Sequence, residues 1–351
     1  DGDKNAYRGD TSSYAPGEKL RYLIDPVITY IGKHNNEHKL IGRYFSINNN
    51  SAKDRNQYDR MNYLEYRYRQ SLKRFGTELT AGVVYTGTEI EAALYGDTSY
   101  TSLNMAGYVS MDKVFFKRLT FSAGARYEYN ALRSPEVVEG FVIPGGKTSE
   151  SKPVFKFGLN YLLNPFASVR ASFGQGYRYP TVAEKFIKTT VGAIRVAPNP
   201  NLQSETGYTA EIGIKHGLKI SSWKGFIDAA FFRSDYDNMM EFTLRNVSKG
   251  FQSYNIGDTR IQGFELGIQG AGDIGDVTVT TYAGYTYVDP KYRNFNEIDT
   301  TKSTVSYNIL KYRMKHAVRA DLGLVYHGIE IGGYFQYNSK MEAIDRIFNF
   351  G

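Results

Sequence analysis

Three short runs in this chain carry residue types at spacings that could do chemistry. His34-Asn35-Asn36-Glu37-His38 spells an inverted zinc-peptidase pattern, in which two imidazoles hold the metal and a carboxylate activates its water. That chemistry needs a helix to bring both rings to one face. Here the run lies between Ile28-Thr29-Tyr30-Ile31 and a strand-like stretch from Leu40 to Ile47. Gly32, Asn35 and Asn36 fit a hairpin turn instead. Gly270-Ala271-Gly272-Asp273-Ile274-Gly275 matches a dinucleotide fingerprint, which needs a helix N-terminus to hold the pyrophosphate. The β-branched run Val277-Thr278-Val279-Thr280-Thr281-Tyr282 follows, so a turn between strands is the simpler reading. Arg8-Gly9-Asp10 is an adhesion tripeptide by letters only, common by chance. The sequon-like Asn49-Asn50-Ser51 and Asn246-Val247-Ser248 carry no chemistry by themselves. No Ser/His/Asp set stands out, so the expectation is a protein that is not an enzyme, with no catalytic residue, no metal site and no cofactor.

The elements that would position such residues repeat with a period of two. Leu119, Phe121, Ala123, Ala125, Tyr127 and Tyr129 alternate with Thr120, Ser122, Gly124, Arg126 and Glu128, so one strand face is apolar and the other polar. The same rhythm recurs in Leu64 to Arg69, Leu79 to Tyr85, Phe155 to Tyr161, Val169 to Gly174 and Tyr208 to Lys215. Further strand-like segments run from Pro26 to Gly32, Tyr100 to Met111, Gly225 to Phe232, Tyr254 to Ile268, Val277 to Tyr287, Ala317 to Tyr326 and Ile329 to Tyr337. The count is about 14 strands. Connections alternate between tight turns and long loops, the latter near Asn48 to Gln57, Gly87 to Asp97, Asn130 to Ser151, Gly176 to Gln203, Arg233 to Lys249 and Asp289 to Leu310. Short turns at one end and long loops at the other are the layout of an outer-membrane barrel.

Composition agrees with that layout. The 351 residues are 41% hydrophobic, with 30 Tyr, 21 Phe and one Trp. Mean hydropathy is −0.44, and no apolar run is long enough for a spanning helix. A barrel hides its apolar half in alternation, and tyrosine suits the membrane interface. The absence of cysteine excludes disulfides and thiolate metal sites. The 43 basic and 36 acidic residues are interspersed, which argues against a nucleic-acid partner. Arg67, Arg69, Arg126, Glu128, Arg170, Glu211 and Glu265 share the polar face, which in a wide barrel lines water or a polar plug.

Four runs, in order, resemble the TonB-dependent receptors of Gram-negative outer membranes. Phe173-Gly174-Gln175-Gly176-Tyr177-Arg178-Tyr179-Pro180, followed by Ala183-Glu184, is similar to the stretch where a strand of that family gives way to a long surface loop. Asn199-Pro200-Asn201-Leu202-Gln203-Ser204-Glu205 follows, with Ser204 where Pro is usual. Then come Tyr208 to Lys215, and Tyr254-Asn255-Ile256-Gly257 with Gly263-Phe264-Glu265. The match is strongest from Gly174 to Gly267. The resemblance implies an all-β, antiparallel transmembrane β-barrel of about 22 strands, filled by an N-terminal plug. It implies active uptake of a scarce nutrient such as an iron chelate, haem or cobalamin, driven through TonB. The expected partners are outer-membrane lipid and lipopolysaccharide, and TonB through a plug.

No plug-like sequence precedes the first strand, so residues 1–351 are expected to form one partial barrel domain. A passive porin-like barrel, or a barrel subunit serving a surface lipoprotein, stays open as an alternative. Candidate ligand contacts in the long loops are Tyr177, Arg178, Tyr179, Lys185, Arg195, Tyr236, Met239 and Met240, because aromatic and basic side chains suit anionic or aromatic chelates. Arg67, Arg126, Glu128 and Glu211 are expected to face the barrel interior or the plug.

Overall fold

A computed structural model describes residues 17–51, 56–138, 140–191, 194–246, 250–295 and 307–344. The Arg8-Gly9-Asp10 tripeptide and Ile347 to Gly351 lie outside the described residues. Within them the chain forms β1 (Gly17–Ile24), β2 (Val27–Ile31), β3 (Asn36–Ser51), β4 (Gln57–Leu72), β5 (Thr77–Ala92), β6 (Thr98–Phe115) and β7 (Leu119–Arg133). A small hairpin of β8 (Val137–Val138) and β9 (Phe141–Val142) precedes β10 (Lys147–Asn164) and β11 (Ala167–Arg178). The next loop holds the short helix α1 (Val182–Phe186) and a hairpin of β12 (Thr189–Val191) and β13 (Ile194–Val196). β14 (Glu205–Ile220), β15 (Trp223–Asn246), β16 (Gly250–Ile274), β17 (Val277–Tyr292), β18 (His316–Tyr326) and β19 (Ile329–Asn338) complete the order.

The long strands form one antiparallel meander. β1 and β2 both pair with β3, separated by Asp25 and Pro26, and so make one interrupted stave. From there each long strand pairs with the next, β3 through β7, then β10, β11 and β14 through β19. Counting the interrupted stave once gives fourteen staves, as the alternation predicts. Among the described residues β19 pairs only with β18, and the β1–β2 stave only with β3.

Register turns the alternation into two faces. Leu64, Tyr85, Met105 and Tyr129 stand side by side on β4 to β7, and Tyr66, Val83, Gly107 and Tyr127 form the row beside them. Apart from half-buried Tyr129, the large side chains in these rows are exposed, Val83 at 59% and Tyr127 at 57%. Large apolar groups so open to the surroundings form the belt that hydrocarbon would cover. The opposite face carries Arg67, Gly82, Tyr108 and Arg126 in one row. Tight turns cluster at one end, and three of them present exposed rings in Phe75, Phe116 and Phe166. Aromatic residues at that level fit a membrane–water boundary.

The zinc-like run closes the β2–β3 hairpin, with Asn35 at φ 56° in the turn and His38 already in β3. The dinucleotide-like run ends β16 and turns into β17, with no helix following. Its glycines have a packing reason: a Cβ on Gly270 would sit 2.1 Å from the Trp223 ring, and one on Gly272 would meet the Trp223 backbone at 2.6 Å. Two expected loops are corrected. β5 continues through Gly87 to Ala92, and β15 continues through Arg233 to Asn246. Above the belt both strand faces are wet, so the hydrophobic rhythm stops while the backbone ladder goes on.

Candidate functional site

Several of the interior charges pair with one another. Arg126 pairs with Glu128, and Arg67 lies 3.5 Å from Glu37. Glu65 accepts hydrogen bonds from the Tyr63 hydroxyl at 2.6 Å and the Tyr108 hydroxyl at 2.5 Å. Further round the sheet Arg170 donates to Glu211 at 2.8 Å and to Asp228 at 2.9 Å. Long side chains lie flat over inward glycines here: a Cβ on Gly213 would sit 2.7 Å from the Arg170 guanidinium carbon, and one on Gly82 2.6 Å from the Tyr108 hydroxyl. The interior is thus a net of paired charges, wet but not strongly of one sign.

The loop from Tyr179 to Ser204 folds back onto the strands. Val182 and Phe186 of α1 pack with Tyr100, Leu132 and Ile143 in a buried apolar cluster. Tyr100 and Leu132 follow the inward parity of Tyr108 and Arg126, so the loop leans over the polar face. Thr181 caps α1 reciprocally with Glu184, a capping box legible as Thr-x-x-Glu. Across the loop, the Ala197 N–H donates to the Phe251 carbonyl at 2.9 Å, and the Asn199 side chain donates to the Ser253 carbonyl at 2.8 Å. The loop is therefore tied at one side to β6 and β7 and at the other to β16.

A polar cavity of about 360 Å³ lies beside this strap, lined by Glu150, Lys152, Tyr179, Lys185, Ser204 and Asn238 among others. Lys185 is 5% exposed, and its Nζ donates to the Leu202 carbonyl at 3.1 Å. Burial pushes its ammonium pKa down, opposed by the charge of Glu150. Burial would raise the carboxyl of Glu184, but the Thr181 amide and the Arg178 guanidinium outweigh it and hold the pKa down. The Tyr179 hydroxyl is 2.7 Å from that of Thr148. Tyr179 and Lys185 are thus the two sequence-predicted residues that meet at one cavity.

The other candidates are placed differently. Tyr177 and Arg178 are the last residues of β11, not loop residues. Arg178 is held by Glu184 and, at 3.3 Å, by Glu205. Arg195 is exposed on β13. Tyr236, Met239 and Met240 sit on β15, a correction to their placement in a loop. Met239 is buried with Tyr292, Ile309, Leu310 and Ala343, and Tyr236 packs against that cluster. The Met240 N–H donates to Glu205 at 2.8 Å. Tyr236 and Met240 keep the inward parity of Asp228, and the register irregularities on either side of Met239 accompany its burial. Glu150 and Ser204, which line the cavity, lacked any sequence signal beyond their positions at the ends of β10 and the family-like run.

An open, apolar-outside and polar-inside antiparallel wall with a strapped loop at its long-loop end has the architecture of an outer-membrane-type β-barrel wall. The chain belongs to the TonB-dependent receptor-like β-barrel family, whose model matches residues 3–346. That family comprises outer-membrane transporters and receptors of Gram-negative bacteria, which are not enzymes. No curated protein matches the sequence. Among solved structures, the chain is similar to the FrpB iron transporter of Neisseria meningitidis (F5-1 variant), at 15% identity and TM-score 0.64, covering 92% of this chain and 51% of that one. It is similar to the Serratia marcescens hemophore receptor HasR, solved with its hemophore and heme, at 13% identity and TM-score 0.64, covering 92% and 59%. It is similar to the alcaligin outer-membrane receptor FauA of Bordetella pertussis, at 14% identity and TM-score 0.61, covering 94% and 55%. The chain thus spans between half and three-fifths of the length of these structures.

Proposed function

We propose that this chain is barrel wall of an energised outer-membrane receptor that takes up a scarce nutrient, an iron chelate, haem, cobalamin or a similar ligand. The observation that carries the reading is the strap: a loop held to the inner side of β6 and β7 and to β16, over a polar cavity that joins Tyr179 and Lys185. Loops that carry recognition need a rigid scaffold beneath them, and the paired interior charges and ladders supply one. Tyr179 and Lys185 are the first candidates for ligand contact, with exposed Arg195 the next. Arg178, Tyr236, Met239 and Met240 support the strap and strand tops, and Tyr177 ends the strand beneath it. Arg67, Arg126, Glu128 and Glu211 face a plug, through which TonB acts, and no group in the site is assigned catalysis.

The unpaired edges at β19 and at the β1–β2 stave favour a partial wall within a larger barrel, because bare strand edges are costly in hydrocarbon. The same belt and the family support placement in the outer membrane. The test uses the full-length receptor. Ligand uptake by whole cells should require TonB, and the protein in planar bilayers should carry little constitutive current. Large, ligand-independent current with uptake unaffected by TonB loss would replace this reading with a passive barrel.

A further inference from the structure

The ladder between β10 and β11 stops short. It runs from Asn164 opposite Ala167 up to Lys156 opposite Gly174, although β10 extends to Lys147 and β11 to Arg178. Above that point β10 pairs only with β7, and β11 only with β14. The two strands therefore part into a notch. On the outward face β10 changes from Leu159, Phe157 and Phe155 to Pro153, Ser151, Ser149 and Lys147, all of them exposed. The notch thus opens where the apolar belt ends.

Alternate residues of β10 turn their main chain toward the notch. The Phe155 N–H donates to the Gln175 side chain at 3.2 Å, so Pro153, Ser151 and Ser149 direct their main-chain groups the same way. A strand tolerates proline where the missing N–H would face no neighbour, and Pro153 sits at such a position. Side chains bridge the gap: the Ser204 hydroxyl donates to Glu150, and the Thr148 and Tyr179 hydroxyls are 2.7 Å apart. Thr148 and Glu150 have the inward parity of Lys156. These bridges therefore floor the notch on its inner side and leave the outer side open. A second break in the wall is closed differently. The β17–β18 ladder ends at Tyr287 opposite His316, yet the Val288 N–H donates to the Lys315 carbonyl and the Leu310 N–H to the Pro290 carbonyl, each at 2.9 Å.

The polar cavity of about 360 Å³ runs beside the same edge, with Thr148, Ser149, Glu150 and Lys152 on one side and Leu202, Gln203 and Ser204 of the strap on the other. Lys152 lies 3.2 Å from Glu150, so those two charges match. Lys185 is the remaining charge of the lining. Among the described residues the Leu202 carbonyl is the one acceptor for its three N–H donors. The site thus offers main-chain donors and acceptors along an edge, and a buried ammonium with two donors to spare.

We propose that the notch binds an extended peptide, added as a strand beside Ser149 and Ser151, with its C-terminal carboxylate on the Lys185 ammonium. The inference deepens the receptor reading, on which it rests for access to the notch from the cell surface. Strand addition satisfies the bare main chain of both partners whatever the peptide's side chains. Pro153 sets the lower limit of the added strand, because it has no N–H to give. The carboxylate supplies the charge that Lys185 lacks and fixes the direction in which the peptide lies.

The full-length receptor in detergent is titrated with a mixture of random pentapeptides that lack acidic side chains, bound peptide being read by native mass spectrometry. Free-acid peptides should bind about tenfold more tightly than C-terminally amidated or backbone N-methylated ones, two arms that need no variant. Ser151→Pro removes an N–H that no neighbouring strand uses and should weaken binding about tenfold, whereas Ser151→Ala should leave it unchanged. Lys185→Gln keeps a donor for the Leu202 carbonyl and should abolish the preference for free acids. Heat-modifiable mobility confirms that each variant is a folded barrel. Equal binding of amidated peptides, equal binding of N-methylated peptides, or full binding by folded Ser151→Pro would each overturn the proposal. Conductance in planar bilayers is recorded on the same proteins. Low current without peptide binding sinks the notch alone, whereas large constitutive current with peptide still bound sinks the receptor reading and leaves the binding site.

Discussion

Two charged rows edge the same apolar belt, and they solve the same problem in opposite ways. On β14 to β17, Asp235 gathers Arg233, Arg260 and the Tyr208 hydroxyl, the last at 3.0 Å, so the charges are internal to the protein. On β4 to β10, Arg133 and Lys147 face outward with no acid between them. The lesson is that equal height on a barrel does not mean equal role. The first row is a brace between strands whose cost of failure is structural. The second sets two cations opposite each other with no acid between, and its loss should be silent in stability.

The largest effect that would break this contrast is Asp235→Ala. The Asp235 side chain is 3% exposed between two arginines that remain a third exposed. Removing it leaves like charges packed together, at a cost of about 2–3 kcal/mol, less than for a fully buried pair because the arginines still reach water. Urea unfolding of the full-length receptor in lipid vesicles should show that loss, whereas Arg133→Gln should stay within about 0.5 kcal/mol. Similar losses for both would erase the distinction.

A pH titration sharpens it next. Asp235 lies past the first ten or so residues of β15, beyond the span that crosses hydrocarbon. The bonds from Arg260 and then Arg233 hold its carboxyl pKa well below the ordinary value. Its stabilisation is therefore fully present above about pH 4, the unfolded carboxylate range, and fades only as pH falls through the depressed folded pKa. Stability lost through this row should begin below about pH 4 and vanish in Asp235→Asn. A loss that begins well above pH 4, or that persists in Asp235→Asn, would contradict this assignment.

A smaller effect tests the converse. Lys147→Glu supplies the missing acid opposite Arg133 and should stabilise the ladder by up to about 0.5 kcal/mol in the same urea experiment. The smallest is Gly213→Ala, where the added methyl displaces the Arg170 side chain from its seat. Because that side chain is long and can shift, the expected cost is about 0.5–1 kcal/mol, read in the same urea experiment. A neutral result would show that the interior net tolerates rearrangement.

Much of the wall was legible in the sequence, because lipid on one side and water on the other impose a strict two-residue period. All fourteen staves coincide with segments such as Leu119 to Tyr129 or Ile329 to Tyr337. The strand tops were not legible. Gly87 to Ala92 and Arg233 to Asn246 lie where both faces are wet, so strand and loop look alike in composition. The first stave, from Gly17, was hidden in part by Pro26, which breaks the pattern at Asp25. The ligand-side chemistry was harder still. Arg178 reads as a free cation in sequence, yet Glu184 and Glu205 close on it from six and twenty-seven residues away. Met239 and Met240 read as loop residues open to ligand and are buried on β15, where register irregularities that no composition reveals flank Met239. The Thr181-x-x-Glu184 box was the one unread signal for a helix inside the loop.

The most direct measurement of the central claim exploits the absence of cysteine in this chain. Single cysteines placed from Leu79 to Glu89 on β5 of the full-length receptor are spin-labelled in lipid vesicles, and their access to oxygen and to a water-soluble nickel complex is compared. The account predicts oxygen-rich, nickel-poor environments at Leu79, Ala81, Val83 and Tyr85, the reverse preference at Thr80, Gly82 and Val84, and a switch to water on the outer face by Glu89. Uniform access along the strand, or a lipid signal that continues past Glu89, would contradict it.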